Sequence, residues 1–171
     1  MIKIRTATEN DLPEMLTIYN DVIKNTTAVY DYEPHTLEMR QQWFTAKKES
    51  GFPAFIAEEN DRVVGFSSLG PFRNWAAYKY SVENSVYVAA EQRGKGIGKL
   101  LILPLIEAAN EMNMHTIIAS IDHTNESSLR LHESLGFIEV AHFKQVGYKF
   151  GKWLDLKFLQ LLLDTPLQPV E

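Results

Sequence analysis

A glycine-rich segment, EQRGKGIGK at positions 91–99, constrains this chain more than any other stretch of its sequence. Gly94, Gly96 and Gly98 alternate with other residues, and the apolar run LLILPLI follows at once. Backbone without side chains exposes its amide hydrogens, and the N-terminus of a helix adds roughly half a positive charge, so such a turn can hold an anion. The alternative is a surface turn whose glycines serve only its geometry.

Two well-known phosphate-binding patterns do not fit this segment. A Walker loop needs a glycine five positions before Gly-Lys-Ser/Thr, but Arg93 occupies that position and Leu100 replaces the hydroxyl. In the dinucleotide pattern G-x-G-x-x-G, Lys99 stands where the third glycine belongs. The preceding strand is also too polar for the buried first strand of a dinucleotide fold. The segment therefore predicts an anion-binding loop of another kind.

Length, charge and composition exclude several classes of protein. A chain of 171 residues is most simply one domain, predicted over residues 1–163 with a loose tail at 164–171. A net charge of -5 argues against a nucleic-acid partner, and no apolar run approaches the ~20 residues that cross a bilayer. Cysteine is absent and the five histidines show no metal-ligand spacing, so we expect no metal and a cytoplasmic location.

The order of apolar patterns predicts a mixed α/β (α+β) fold. An alternating N-terminal strand precedes two helices, the second running from Thr36 to near Gly51 and burying Leu37. Two strands and a longer one, YSVENSVYVAA, lead to a helix from about Gly98 to Met112. HTIIASI is typical of a buried strand, ESSLRLHESLG of a short helix, and two closing strands follow. Most neighbouring strands are expected to be antiparallel.

The long strand carries the best candidate for a catalytic base. Side chains alternate between the faces of a strand, so Glu83, Ser85 and Tyr87 share one face while Asn84 lies on the other. A carboxylate held in mid-strand can take the proton from a reacting amine. The other interpretation of Glu83 is a solvent-facing strand carboxylate.

Several segments resemble a known family. QRGKGIG fits the pattern Q/R-x-x-G-x-G/A that binds coenzyme A in the GNAT acetyltransferase superfamily, and NESSLRLHESLGF, about 30 residues further on, resembles that family's N-x-x-A/S-x-x-L-Y/H-x-x-x-G-F segment. YDYEPHTLEMRQQWF, YSVENSVYV and QVGYKFGKWLDL resemble the phosphinothricin and methionine sulfoximine N-acetyltransferase branch. Together the resemblance covers about residues 2–163.

The resemblance implies a GNAT fold and acetyl-CoA as co-substrate. That fold has a twisted, mostly antiparallel sheet with helices on both faces, and its central strands splay apart to expose backbone amides. The implied coenzyme A site comprises Val86, Tyr87, Val88, Arg93, Gly94, Lys95, Gly96, Ile97, Gly98, Lys99, Asn125 and Ser134. If the resemblance is set aside, the sequence predicts that Asn125 is a helix N-cap and that Ser134 is a surface serine.

The resemblance also implies roles in transfer to the α-amine of a small amino-acid-like acceptor. Glu83 is the expected base, and His132, where many members have tyrosine, either protonates the leaving thiolate or is simply a packed helix histidine. The acceptor is expected to contact Arg73, Asn74, Trp75, Glu83, Asn84 and Ser85. Arg73 could clamp its carboxylate with two hydrogen bonds. Many branch members have histidine where Asn84 stands, and the position of Trp75 varies, which leaves the acceptor open.

Other functions remain compatible with this sequence. One is acetylation of a protein N-terminus or a polyamine, another is a non-catalytic acyl-CoA sensor, and a third is a purely structural dimer module. The segment WLDLKFLQLLL has more apolar positions than one face of a sheet requires, which predicts a homodimer.

Overall fold

Seven strands and four α-helices form the regular structure in the computed structural model, which describes residues 1–171. The strands are β1 (Lys3–Thr6), β2 (Ala54–Glu59), β3 (Arg62–Pro71), β4 (Ser81–Val88), β5 (Thr116–Asp122), β6 (Ile138–Lys149) and β7 (Lys152–Leu162). The helices are α1 (Leu12–Asn25), α2 (Leu37–Glu49), α3 (Ile97–Glu111) and α4 (Glu126–Glu133). Hydrogen bonding orders the strands β1-β2-β3-β4-β5-β7-β6, so the predicted α/β fold with a mostly antiparallel sheet is confirmed.

The residues form two compact units. Unit 1 contains residues 1–69 and 85–105, and unit 2 contains residues 70–84 and 106–171. Strands β3 and β4 and helix α3 each begin in one unit and end in the other. The predicted single domain over residues 1–163 stays a prediction.

Unit 1 packs α1 and α2 on an antiparallel meander. Strand β2 pairs with β1 and with β3, and alternate residues such as Ile56 and Phe66 are buried against α1. Apolar residues three and four positions apart give α1 one buried face, which is the usual pattern of a surface helix. Thr36 caps α2 by accepting a hydrogen bond from the amide of Met39 at 3.2 Å. Leu37, expected to be buried, is 39% exposed because the first turn of α2 leaves the core.

Strands β3 and β4 approach each other closely in unit 1, and this approach depends on one glycine. A Cβ on Gly65 of β3 would lie 2.9 Å from the carbonyl oxygen of Tyr87 and 3.0 Å from Cδ1 of Leu101. Such contacts are too short for any side chain, so only glycine lets β4 run this close to β3. Gly65 thus sets the position of the second half of β4.

Unit 2 is built on a long antiparallel ladder. Strand β5 pairs with β7 over seven residue pairs, from Thr116–Leu162 to Asp122–Leu156, and β7 also pairs with β6. Six of the seven residues of β5 are buried, on both faces of the sheet, and its sequence TIIASID is accordingly rich in apolar residues. Nothing in the structure resembles a membrane-spanning helix in both length and apolar character.

The C-terminal segment, expected to be loose, is hydrogen-bonded to unit 2 at two places. The hydroxyl of Tyr80 donates to the carbonyl of Val170 and accepts from its amide, both at 3.0 Å. Nearer the end of β7, the hydroxyl of Thr165 donates to the carbonyl of Met114. These hydrogen bonds could not be predicted from apolar periodicity, because they join polar groups outside the helices and strands.

Candidate functional site

Glu83 is half-buried in unit 2, near the start of β4. Parallel pairing with β5 places it opposite Ile118, and the hydroxyl of Ser120, two residues further along β5, donates to its Oε1. A hydrogen bond to one carboxylate oxygen restricts the rotation of the side chain and leaves the second oxygen free to accept a proton. The predicted base is therefore an oriented carboxylate.

Asn84 and His132 form a buried hydrogen-bonded pair in the same unit. Nδ2 of Asn84 lies 2.9 Å from Nε2 of His132, whose Nδ1 lies 2.8 Å from the carbonyl oxygen of Ser128. A carbonyl only accepts, so the proton of the neutral ring is assigned to Nδ1, and Nε2 accepts from the Asn84 amide. Oδ1 of Asn84 is buried without a hydrogen-bond partner. The ring is a neutral acceptor that fixes the orientation of this amide.

His132 is also desolvated. It is 2% exposed, with its ring edge-on to Phe137 at a centroid distance of 5.0 Å. Burial lowers the pKa of its imidazole, and the hydrogen bond to Ser128 opposes that shift only in part. At neutral pH the ring is therefore uncharged.

This shift predicts a pH-dependent stability. In the unfolded chain the pKa of a histidine is about 6.5, whereas that of His132 in the folded protein is lower. Between these two pKa values the unfolded chain binds more protons than the folded protein, so the wild type loses stability as the pH falls below about 6.5. We expect the free energy of unfolding of wild type minus that of His132→Leu to decrease on acidification, by at most about 1.4 kcal/mol per pH unit. Urea titrations at several pH values measure this difference. The other four histidines cancel in it, and a difference that increased at low pH would contradict a lowered pKa.

The glycine loop lies in unit 1, directly before α3. Gly94 and Gly96 have φ of +77° and +79°, and a Cβ at either position would have no heavy atom within 4 Å. The left-handed conformation explains why these positions are glycine, and the open space beside them leaves the backbone accessible. Ile97, the first residue of α3, is buried and anchors the helix to the core of the unit.

The cations of this loop are arranged around an exposed backbone. Nε of Arg93 donates to the carbonyl of Val88 at 3.1 Å, and Nζ of Lys95 donates to the side chain of Gln92 at 2.6 Å. Both side chains and that of Lys99 are exposed. Positive charge therefore flanks the N-terminus of α3, as binding of a diphosphate requires.

The parallel pairing of β4 with β5 is short. It covers three residue pairs, from Ser81–Thr116 to Glu83–Ile118, although β4 continues to Val88. The backbone of β4 after Glu83 is thus outside this ladder, as expected for splayed central strands. Along that stretch Val86 and Val88 pack on the core of unit 1, and the ring of Tyr87 contacts the ring of Phe66 at 5.1 Å.

Helix α4 positions two of the residues expected at coenzyme A. Asn125 caps the helix, since its Oδ1 accepts from the amide of Ser128 at 3.2 Å. Ser134, at the other end, is exposed and donates to the carbonyl of Leu131 at 2.7 Å. Both therefore have structural roles, which do not preclude contact with a ligand.

Three of the residues expected at the acceptor lie on the connection between β3 and β4. Arg73, Asn74 and Trp75 are all exposed, Trp75 by 73%. The guanidinium of Arg73 lies 4.2 Å from the ring centroid of Phe72, and its Nη1 donates to the carbonyl of that residue at 2.8 Å. The rest of its donor fork is open to solvent.

Sequence reasoning did not find Ser120 and Ser128. Ser120 is a polar residue within an apolar strand, a signal that could have marked it as a partner for a charged group. Ser128 acts through its backbone carbonyl, and its side chain carries no signal of that kind.

Comparison with known proteins identifies the family. A family model described as Acetyltransferase (GNAT) domain matches residues 4–157. The chain belongs to the GNAT acetyltransferase family. Its relatives include an L-methionine sulfoximine/L-methionine sulfone acetyltransferase of Pseudomonas paraeruginosa, 44% identical over 94% of both chains. A phosphinothricin N-acetyltransferase of Streptomyces coelicolor is 35% identical, covering 93% of this chain and 95% of its own.

A solved structure agrees with this GNAT assignment. yncA of Salmonella typhimurium, crystallised with its cofactor acetyl-CoA, has a TM-score of 0.96 at 39% identity, covering 99% of this chain and 98% of its own. The protein is accordingly an acetyl-CoA-dependent N-acetyltransferase. The predicted resemblance to the phosphinothricin and methionine sulfoximine branch is confirmed.

Proposed function

We propose that this GNAT enzyme acetylates the α-amine of a small amino acid of the methionine sulfoximine, methionine sulfone or phosphinothricin type, with Glu83 as general base. The observation that carries the proposal is the half-buried carboxylate of Glu83, oriented by Ser120 where the β4–β5 ladder ends. The activities named for the relatives support the class of acceptor.

The proposed reaction is a direct transfer. The amine nitrogen attacks the thioester carbonyl, a carbon–nitrogen bond forms, and the carbon–sulfur bond breaks to release CoA thiolate. An α-amine has a pKa of about 8 in peptides and is mostly protonated at neutral pH, so Glu83 accepts the proton that it must lose. The chain contains no cysteine to carry the acetyl group as a thioester intermediate.

The proposed coenzyme site combines main-chain and charged groups. Main-chain amides between Arg93 and Lys99 would hold the diphosphate, and no heavy atom lies within 4 Å of the place that a Cβ would take on Gly94 or Gly96. Backbone amides of Val86, Tyr87 and Val88, beyond the β4–β5 ladder, would pair with the pantetheine arm, and one would donate to the thioester oxygen. Such a donor is worth about 3 kcal/mol to a developing oxyanion. Asn125 and Ser134 remain proposed contacts of the same ligand.

His132 has a different proposed role from the one the family implies. To protonate the thiolate it would need a proton on Nε2, yet that nitrogen accepts from Asn84 in this structure. We propose that His132 mainly orients Asn84, and its action as a proton donor stays a prediction. Arg73 remains the proposed clamp for the acceptor carboxylate, with Asn74, Trp75, Asn84 and Ser85 as further contacts.

An acceptor panel tests the proposal against its rivals. Initial rates of thiol release from acetyl-CoA should be highest with L-methionine sulfone or sulfoximine, and near background with spermidine and with a peptide bearing a free N-terminus. Preference for the polyamine or the peptide would replace the proposed acceptor. Binding of acetyl-CoA without release in any mixture would indicate a sensor.

A homodimer is proposed from exposed apolar side chains on the last two strands. Ile138, Val146 and Tyr148 on β6 and Trp153 and Leu162 on β7 are each at least half exposed. A second copy could cover this surface. Sedimentation of the protein at micromolar concentration should give twice the monomer mass, and a monomer alone would contradict the proposal.

The expected cytoplasmic location also stays a prediction.

A further inference from the structure

Three phenylalanine rings of unit 2 contact one another on the last two strands and the β3–β4 connection. Phe158 of β7 lies at the centre of the group, with its ring centroid 5.3 Å from that of Phe143 on β6 and 6.2 Å from that of Phe72 on the connection. The planes of the two pairs are inclined at 72° and 78°, the edge-to-face arrangement that aromatic rings favour. We call these three residues the phenylalanine cluster.

The strand register places this cluster on the same face of the sheet as Glu83. Ser120, whose hydroxyl donates to Oε1 of Glu83, is the direct antiparallel partner of Phe158. The side chains of directly paired residues share one face of a sheet, with Cβ atoms about 4.5–5.5 Å apart. The carboxylate of Glu83 and the ring of Phe158 therefore flank the same serine, and all three residues belong to unit 2.

The cluster is only partly covered by the rest of unit 2. Phe72 and Phe158 are half-buried, and Phe143 is 45% exposed. By contrast, the fully packed residues of β7, Leu154 and Leu159, are 3% and 0% exposed. Ligand sites are mostly apolar and contain a few well-placed polar groups. An open aromatic surface beside a half-buried carboxylate has that composition.

We propose that the phenylalanine cluster, with Phe158 at its centre, binds the side chain of the acceptor and selects α-amino acids with long apolar side chains over short ones. The inference rests on the proposed function and names the part of the acceptor that the enzyme distinguishes. With the α-amine at Glu83, the acceptor's side chain extends past Ser120, a small residue, to the ring of Phe158. Each added methylene then covers more of the rings and removes more apolar surface from water.

The test uses four acceptors that differ only in side-chain length: L-alanine, L-2-aminobutyrate, L-norvaline and L-norleucine. In wild type, kcat/KM should rise about fourfold for each methylene, the equivalent of about 0.8 kcal/mol. Phe158→Ala should reduce this rise to less than about twofold for each methylene. It should change kcat/KM for L-alanine much less, because a single methyl group is too short to reach the ring. The KM for acetyl-CoA should stay the same.

Two further variants make the result specific to the cluster. Phe72→Ala removes a ring from the β3–β4 connection, outside the sheet, and should also reduce the rise, so the test does not depend on the folding of Phe158→Ala. Phe150→Ala is the matched control, since it removes a ring that is 56% exposed at the turn between β6 and β7. This control should show the same rise as wild type.

Each other outcome identifies which proposal is at fault. An undiminished rise in either cluster variant, or an equal loss for all four acceptors, would overturn the assignment of the side-chain site, because an equal loss would mean that the rings only support the fold. A wild type that acetylates L-methionine sulfone without any rise along the series would overturn the same assignment and leave the proposed function intact. A wild type that acetylates none of these five amino acids would refute the proposed function itself.

Discussion

Glu83→Gln should lower kcat about 10²- to 10⁴-fold, the contribution expected of a positioned general base. Glutamine keeps the size of the side chain, and its oxygen can still accept the hydrogen bond from Ser120, so the fold should be unaffected. What is lost is the ability to take a proton from the amine. Thiol release at saturating acetyl-CoA and acceptor measures kcat, and calorimetry should show an unchanged affinity for acetyl-CoA.

Two companion variants separate this effect from general damage. Ser120→Ala leaves the carboxylate in place without its hydrogen bond, so we expect a smaller loss of kcat than in Glu83→Gln. Glu126→Gln replaces an exposed glutamate that pairs with Arg130 at 2.9 Å, and it should behave like wild type. If Glu83→Gln kept more than half of the wild-type kcat, another group would have to accept the proton.

Gly96→Asp should weaken binding of acetyl-CoA at least about 100-fold. A like charge placed against a bound diphosphate costs several kcal/mol, and each 1.4 kcal/mol is a tenfold change in the dissociation constant. The new side chain would project into the open space beside the loop, where the diphosphate is proposed to lie. Calorimetric titration with acetyl-CoA measures the change directly.

Gly51→Asp is a matched control for that variant. Gly51 also has a positive φ, +73°, and a Cβ there would have no heavy atom within 4 Å, but it lies at the end of α2. Both variants place a β-carbon at a positive φ and add the same charge, so both should lose thermal stability, Gly51→Asp by somewhat more because its carboxylate lies at the negative end of α2. Only Gly96→Asp should lose affinity for acetyl-CoA. Equal affinities in the two variants would show that the diphosphate is bound elsewhere.

Local sequence patterns were sufficient for much of the fold and for the loop. Glycines at alternate positions predicted a loop, and the apolar run after them predicted a helix from about Gly98 to Met112, which the structure has at Ile97–Glu111. Strand periodicity placed Glu83 and Asn84 on opposite faces of β4. These features depend on residues close together in the chain, which a sequence displays directly.

The remaining contacts depend on residues far apart in the chain. The bond between Ser120 and Glu83 follows from the parallel register of β4 and β5, and Asn84 meets His132 across 48 positions. The hydrogen bonds of these side chains depend on partners that only the tertiary fold brings together, and a local sequence pattern cannot predict such partners.

Arg40 illustrates the same limit. In the sequence it is one of several charged residues on α2, a helix with little apolar character, and it reads as a surface arginine. Its burial results from aromatic residues on three separate elements, Tyr19 on α1, Trp43 on α2 and Phe66 on β3. Only their assembly reveals a buried guanidinium whose Nε and Nη2 have no hydrogen-bond partner.

The identity of the product is the most direct test of acetyl transfer to an α-amine. The protein is incubated with acetyl-CoA labelled with ¹³C in the acetyl group and with L-methionine sulfone, and the products are analysed by mass spectrometry and NMR. We predict one labelled N-acetyl-L-methionine sulfone for each CoA released, with the label attached to the α-nitrogen. Labelled free acetate as the only product, or no release of CoA, would contradict the proposed reaction.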